Sequence, residues 1–119
     1  MAEDIHERSF RFACEIVRLH QRLSRGKRTP AAIAMQLLKA GTSMGANLEE
    51  AKAGQSRADF LSKCRIALKE GREAHYWLRL LKASDSCNED LSPLVDEANQ
   101  LVAILTTIIK KASFSIIRK

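Results

Sequence analysis

The sequence predicts an all-α protein, folded as an antiparallel four-helix bundle whose helices run up, down, up and down. Apolar residues recur at steps of three and four in four stretches of the chain, which is the spacing of one helix face. Aromatic residues make up 5% of the chain, and only two prolines and five glycines interrupt it. Short polar connections separate the stretches, so neighbouring helices are expected to run in opposite directions.

The length of 119 residues suits one domain that buries its own core. We therefore expect a single four-helix-bundle domain over residues 1–119. The apolar periodicity and the cap residues place its helices at about 5–24, 30–53, 57–82 and 90–112.

The first predicted helix has an unusually wide apolar face. One row consists of Phe12, Ile16, Leu19 and Leu23, and a second row beside it consists of Phe10, Ala13 and Val17. Together the rows cover close to half of the circumference, more than one neighbouring helix requires. Either two helices of the bundle enclose this helix, or it also packs on another subunit.

The second and third helices are expected to form the centre of the bundle. Thr29 and Pro30 suit the N-cap and first turn of the second helix, and Ser56 with Asp59 resembles a capping box for the third. Gly41, Gly45 and Gly71 are expected where helices approach closely. On the third helix, an apolar patch off the main stripe is expected to contact another helix or subunit: Ile66, Trp77 and Leu80.

The charge of the chain is positive, with 20 Lys and Arg against 14 Asp and Glu and a formal net charge of +6. An excess of this size favours contact with a polyanion but also suits solubility alone. The densest run of cations lies where the first helix ends at Gly26. This basic corner is either a solvated helix end or a phosphate-contacting surface, and it consists of Arg18, Arg22, Arg25, Lys27 and Arg28.

A second group of cations, the basic row, lies along one face of the third helix. It consists of Arg65, Lys69 and Arg72, with Tyr76 one turn further on and Arg79 at its margin. Cations beside an aromatic ring suit phosphate and base contact. Because Glu70 and Glu73 flank the row, a solvated face with salt bridges is the alternative.

No residue pattern supports catalysis, a metal or a cofactor, and we expect a protein that is not an enzyme. A di-iron bundle needs two Glu-x-x-His pairs, and Glu3 with His6 forms the single pair in the sequence. Cys14, Cys64 and Cys87 are widely spaced, as is usual for reduced thiols. Met1-Ala2-Glu3-Asp4 is acidic and no apolar segment follows it, so we expect a cytoplasmic protein without a membrane span.

The central region carries a resemblance to a known family. Leu48 and Glu49 depart from its pattern, in which Ile and Ala are usual, and so do Gly71 and His75. The residues in register with the pattern are Gly41-Thr42-Ser43-Met44-Gly45-Ala46-Asn47, Glu50-Ala51, Gln55-Ser56, Asp59-Phe60, Lys63, Ile66 to Glu70, Glu73 and Tyr76 to Leu81. They resemble the bacterial four-helix-bundle proteins first noticed in intervening sequences of 23S ribosomal RNA genes. The resemblance extends over nearly the whole chain and is strongest over residues 41–81.

The resemblance implies a small all-α subunit that assembles as a ring-like homopentamer. The chain is also similar to the accessory subunit of diversity-generating retroelements, a basic pentameric barrel that binds nucleic acid and a reverse transcriptase. No activity is established for the family. By position, the pattern residues without a proven role are Asn47, Glu50, Phe60, Lys63, Glu70, Glu73 and Trp77.

Two functions follow as hypotheses. The first is an oligomeric protein that binds RNA or DNA through phosphate contacts summed over its subunits, with the basic corner and the basic row as its contact residues. The second is a structural adaptor that binds a protein partner without nucleic acid. For Asn47 and Glu50, an internal hydrogen-bond network, an intersubunit contact and a binding site all remain open.

Overall fold

The computed structural model describes residues 4–118, with side chains as far as Phe114. Within that range the chain forms four α-helices and no strand, as the sequence predicts. The helices are α1 (Ile5–Arg25), α2 (Ala31–Lys52), α3 (Arg57–Ala83) and α4 (Ser92–Arg118).

Polar side chains define where the helices begin. Asp4 caps α1 by accepting a hydrogen bond from the His6 backbone N–H, and Ser56 caps α3 by accepting one from Asp59. Asp90 accepts a hydrogen bond of 3.0 Å from the Ser92 backbone N–H at the start of α4. Each of these bonds satisfies a helix N–H that has no partner within the helix. The fourth helix therefore begins at Ser92, and it continues to Arg118, beyond the expected end near residue 112.

The expected cap of the second helix by Thr29 was wrong. Pro30 occupies the N-cap position of α2 and makes no side-chain cap, so the helix begins at Ala31. The Thr29 hydroxyl instead donates a hydrogen bond of 2.5 Å to the Ser86 carbonyl. Thr29 thus joins the α1–α2 connection to the α3–α4 connection, at the same end of the bundle.

The helices pack in a closed cycle, in which α1 contacts α2 and α4 while α3 contacts the same two helices. Arg8 of α1 pairs with Glu97 of α4, and Arg22, further along α1, pairs with Glu89 just before α4 begins. Position therefore increases along α1 as it decreases toward the start of α4. Between α3 and α4, the Arg65–Ser113 contact lies toward one end and the Gly71–Val102 approach lies further along. These pairings are those of antiparallel neighbours.

The core lies along the axis of this cycle and is built from one stripe of each helix. The stripe of α1 is the predicted row Phe12, Ile16, Leu19 and Leu23. The largest fully buried side chains of the other helices are Leu37, Met44, Leu48, Leu78, Leu81, Leu101 and Leu105. In the part of the chain that is described, no helix has the length and apolar character needed to cross a bilayer.

The glycines lie at close helix contacts, but they contact different groups. A Cβ atom at Gly41 would lie 2.9 Å from both γ-carbons of Ile16, a fully buried side chain of α1. At Gly45 the nearest atom is the Ser9 carbonyl oxygen at 3.4 Å, an ordinary contact distance. A Cβ atom at Gly71 would lie 2.9 Å from the Met44 sulfur and 3.3 Å from Val102. Gly41 and Gly71 therefore make room for side chains, whereas Gly45 lies against the α1 backbone.

This difference predicts opposite effects for two similar substitutions in α2. We expect Gly41→Ala to lower the free energy of unfolding by about 1–3 kcal/mol, because the β-branched Ile16 is too tightly packed to move away. Gly45→Ala is the matched control, and we expect it to raise the free energy of unfolding by up to about 1 kcal/mol through helix propensity. Urea denaturation of the two variants measures both. Equal destabilisation by both would contradict the contact assigned to Gly41.

Candidate nucleic-acid interface

The structure divides the basic corner into paired and unpaired cations. Arg22 forms a two-point ion pair with Glu89, with nitrogen–oxygen distances of 2.8 and 2.9 Å. Arg28 contacts the Asp85 carboxylate at 2.8 Å and its carbonyl oxygen at 2.9 Å, and it also donates to Asn88. Both acids belong to the α3–α4 connection. Arg22 and Arg28 therefore join that connection to the end of α1 and to the α1–α2 connection.

These contacts also alter the electrostatics of the corner. The hydrogen bonds from Arg22 hold the pKa of the Glu89 carboxyl below its ordinary value and raise the pKa of the Arg22 guanidinium. The positive charge of Arg22 is thus balanced within the protein. Arg18, Arg25 and Lys27 are exposed and form no ion pair with a described residue. The corner is consequently less positive than its sequence indicates.

The basic row differs, because none of its cations is paired with an acid in the described part of the chain. Arg65, Lys69 and Arg72 are all exposed on α3. Arg65 donates a hydrogen bond of 3.1 Å to the Ser113 hydroxyl of α4. Of the two acids expected to neutralise the row, Glu73 accepts a hydrogen bond of 3.3 Å from the Trp77 indole instead. The three cations of the row are therefore available to an external anion.

An aromatic ring stands beside the basic row. Tyr76 is 51% exposed, and its ring packs edge-on against Trp77 with a centroid distance of 5.1 Å and an interplanar angle of 74°. Trp77 is half-buried and packs against the core, so it supports the tyrosine from beneath. An exposed aromatic ring on the same helix face as three cations is an arrangement that can stack on a nucleic-acid base.

A groove between α3 and α4, which we call the polar groove because most of its lining residues are polar or charged, lies beyond the row and was not predicted from the sequence. Its volume is about 550 Å³, and it is lined by His75, Arg79, Lys82, Ala83, Val95, Asp96 and Asn99. Burial, together with the nearby charge of Arg79, lowers the pKa of the His75 imidazole. The sequence signal was present, since His75, Arg79 and Lys82 follow one another at helical spacing. The contribution of α4 depends on helix pairing, which the sequence alone does not show.

The pattern residues of the resemblance have mostly structural surroundings. Phe60 packs against the core, and the Asn47 amide donates a hydrogen bond of 2.9 Å to the Ser43 carbonyl within α2. Lys63 and Glu70 are half-buried, and Glu50 is exposed. Asn47 and Glu50 therefore share no direct hydrogen bond within the described residues.

A second groove, between α1 and α2, exposes more apolar than polar surface, although charged side chains such as Glu7, Arg18 and Glu49 also line it. We call it the apolar groove; its volume is about 870 Å³, and Phe10, Ala13, Cys14, Gly45 and Ala46 are among its lining residues. Phe10 is 70% exposed although α1 already packs against both α2 and α4. Val17, in the same row of α1, is 38% exposed. The second apolar row of α1 is thus left partly uncovered by the helices of its own chain.

The described residues contain no group of three or more His, Cys, Asp or Glu side chains placed to hold a metal ion. Glu3, the first member of the single Glu-x-x-His pair, lies outside the described residues. His6, the second member, lines the apolar groove, and its buried Nδ1 atom makes no hydrogen bond within the described structure.

Comparison with known proteins agrees with the fold and the resemblance. A solved structure from Bacteroides thetaiotaomicron VPI-5482, a protein of unknown function from the S23 ribosomal protein family, is 37% identical to this chain. The match covers 90% of this chain and 99% of that one, with a TM-score of 0.83. No curated protein matches the chain. The profile of the 23S rRNA-intervening sequence protein family matches residues 2–107, and the chain belongs to that family.

Proposed function

We propose that this protein is a non-enzymatic, oligomeric nucleic-acid-binding protein that contacts phosphates through the basic row of α3. The observation that carries the proposal is the exposure of Arg65, Lys69 and Arg72 without an acidic partner among the described residues. A cation that is paired with an acid of the same protein attracts a phosphate less strongly. Acids balance the charges of Arg22 and Arg28 in this way, whereas the charges of the row are not balanced.

The proposed binding is electrostatic and depends little on sequence. Lysine and arginine side chains that neutralise phosphates release condensed counterions, and this release supplies most of non-specific affinity. Tyr76 adds a stacking surface that accepts any base, since every base has a π-face. Both RNA and DNA fit this chemistry.

Oligomerisation is the second part of the proposal. The apolar groove and the Ile66, Trp77 and Leu80 patch are different surfaces, on α1–α2 and on α3. Ile66 is 40% exposed, while Trp77 and Leu80 are half-buried. When two unlike surfaces of identical subunits contact each other, the subunits assemble head-to-tail. They form a ring if the rotation from one subunit to the next adds up to a full turn. The resemblance supports five subunits in that ring.

The proposed location is the cytoplasm. Cys14, Cys64 and Cys87 are all free thiols, as is usual in a reducing compartment. Burial raises the pKa of the Cys64 thiol, which keeps that group protonated in the core.

A second candidate function is an adaptor that binds a protein partner without nucleic acid. The observation that favours it is the exposure of Phe10 in the apolar groove, since an exposed apolar surface of this kind is typical of a protein contact. In this alternative the net charge of +6 serves solubility only.

Reversing the charge of the row separates the two functions. We expect Arg65→Glu/Lys69→Glu/Arg72→Glu to weaken binding to labelled duplex DNA and structured RNA by at least about tenfold, because three phosphate contacts become repulsive. The control is Lys39→Glu/Lys110→Glu/Lys111→Glu, which changes the net charge equally at exposed positions on other helices. Fluorescence anisotropy measures both. Equal loss in both variants would show that net charge, rather than the row, governs binding.

Oligomerisation is tested through the second apolar row of α1. We expect the wild-type protein to have about five times the chain mass of 13.3 kDa in solution, and Phe10→Glu/Val17→Glu to have the mass of one chain. Both side chains are exposed in the single subunit, so the helical circular-dichroism signal is expected to stay unchanged. Light scattering coupled to size exclusion measures the mass, with Ala103→Glu on the exposed side of α4 as control. A wild-type monomer would refute the ring, and the charge reversal of the row would still decide between nucleic acid and a protein partner.

A further inference from the structure

The polar groove between α3 and α4 has the composition of an anion site. Two of the side chains that line it are cations, Arg79 and Lys82, and a third, His75, becomes a cation on protonation. They lie at positions i, i+4 and i+7, so they occupy one side of the last two turns of α3. Asp96 and Asn99 of α4 form the opposite wall.

The cations of the groove are not neutralised as Arg22 and Arg28 of the corner are. Neither Arg79 nor Lys82 makes a hydrogen bond or an ion pair with a described residue, and both are exposed. Hydrogen bonds from Ser92 hold the pKa of the Asp90 carboxyl low, and the charge of Lys82 contributes to this at longer range. Asp96 is the one carboxylate that lines the groove in the described structure. The groove therefore carries a net positive charge even when His75 is neutral.

The groove is also continuous with the proposed contact surface. Arg72 and Arg79 are seven residues apart on α3, which is about 10 Å along the helix axis. A nucleic-acid strand that follows the row toward the C-terminal end of α3 therefore reaches the groove.

We propose that this groove binds a backbone phosphate of the nucleic acid through Arg79 and Lys82, with His75 as a third cation once it is protonated. The proposal rests on the proposed function and adds a site that the basic row does not include. Asn99 provides an amide that can donate a hydrogen bond to a phosphate oxygen. Asp96 repels the phosphate and limits the affinity of the site.

Protonation of His75 makes the site dependent on pH. The groups that face His75 are Arg79, Lys82 and, one turn back, Arg72 on α3, with Asp96 and Asn99 on α4. In the free protein, burial and Arg79 hold the pKa of His75 below its ordinary value of 6.5. A bound phosphate favours the charged imidazole and raises that pKa. Binding then takes up a proton. The affinity for the phosphate therefore increases as pH falls, and it becomes constant below the pKa that His75 has in the free protein.

The experiment measures binding of a fluorescein-labelled duplex DNA by the full chain at pH 7.5 and pH 5.5. We expect the affinity of the wild type to increase about three- to tenfold at the lower pH, because binding takes up at most one proton at His75. We expect His75→Gln to remove most of this increase. His20→Gln is the control, since His20 is a half-buried histidine of α1, and its pH response should match the wild type. An unchanged increase in His75→Gln would overturn the role of His75.

Two further variants test the groove without relying on pH. We expect Arg79→Gln/Lys82→Gln to weaken binding at pH 7.5 at least threefold more than Lys110→Gln/Lys111→Gln, which removes two exposed charges of α4. Asp96→Asn is expected to strengthen binding about twofold or more, an increase that a misfolded variant would not give.

The outcomes distinguish the groove from the proposed function. If the row variant loses binding while the groove variants equal their controls, the groove proposal falls and the proposed function stands. If the wild type binds no nucleic acid at low salt, both fall.

Discussion

The buried stripe of α3, which includes the closely packed Gly71, determines which face of that helix reaches solvent. At this position α3 lies against the Met44 sulfur of α2 and the Val102 side chain of α4, and a Cβ atom would lie within 3.3 Å of both. A helix turns about 100° per residue, so directing Gly71 inward places Arg65, Lys69 and Arg72 about 100–160° away from it. The apolar stripe and the basic row are consequently two results of one helix orientation. A change that rotates α3 in the core would also rotate the proposed contact surface.

The cations of this protein serve two different purposes. Arg22 and Arg28 reach acids of the α3–α4 connection, and Arg8 forms a half-buried pair with Glu97 at 2.6 Å between α1 and α4. These pairs join parts of the chain that are distant in sequence. The cations along α3 have no comparable acid within the described residues. The distribution of acids, rather than of cations, therefore separates the structural charges from those available to a ligand.

Much of the fold follows from local sequence, and the errors have identifiable causes. Periodicity located the four helices and the core stripe of α1, because Phe12, Ile16, Leu19 and Leu23 repeat at helical spacing. The prediction of a Thr29 cap was wrong because the Thr29 hydroxyl donates its hydrogen bond to the carbonyl of Ser86, a residue 57 positions away. Which cations of the basic corner are neutralised depends in the same way on the remote Glu89 and Asp85. The groove beside His75 was missed since Asp96 and Asn99 join it only through helix packing.

In the function we propose, exposed cations of α3 give this member of the 23S rRNA-intervening sequence protein family an affinity for nucleic acid. The most direct measurement is the affinity of the wild-type protein for duplex DNA and for structured RNA as the salt concentration is raised. If several phosphates are neutralised across an oligomer, log K falls linearly with log salt, and affinity decreases about a thousandfold or more between 50 and 200 mM. Absence of binding at the lowest salt, or an affinity that salt does not change, would contradict the account.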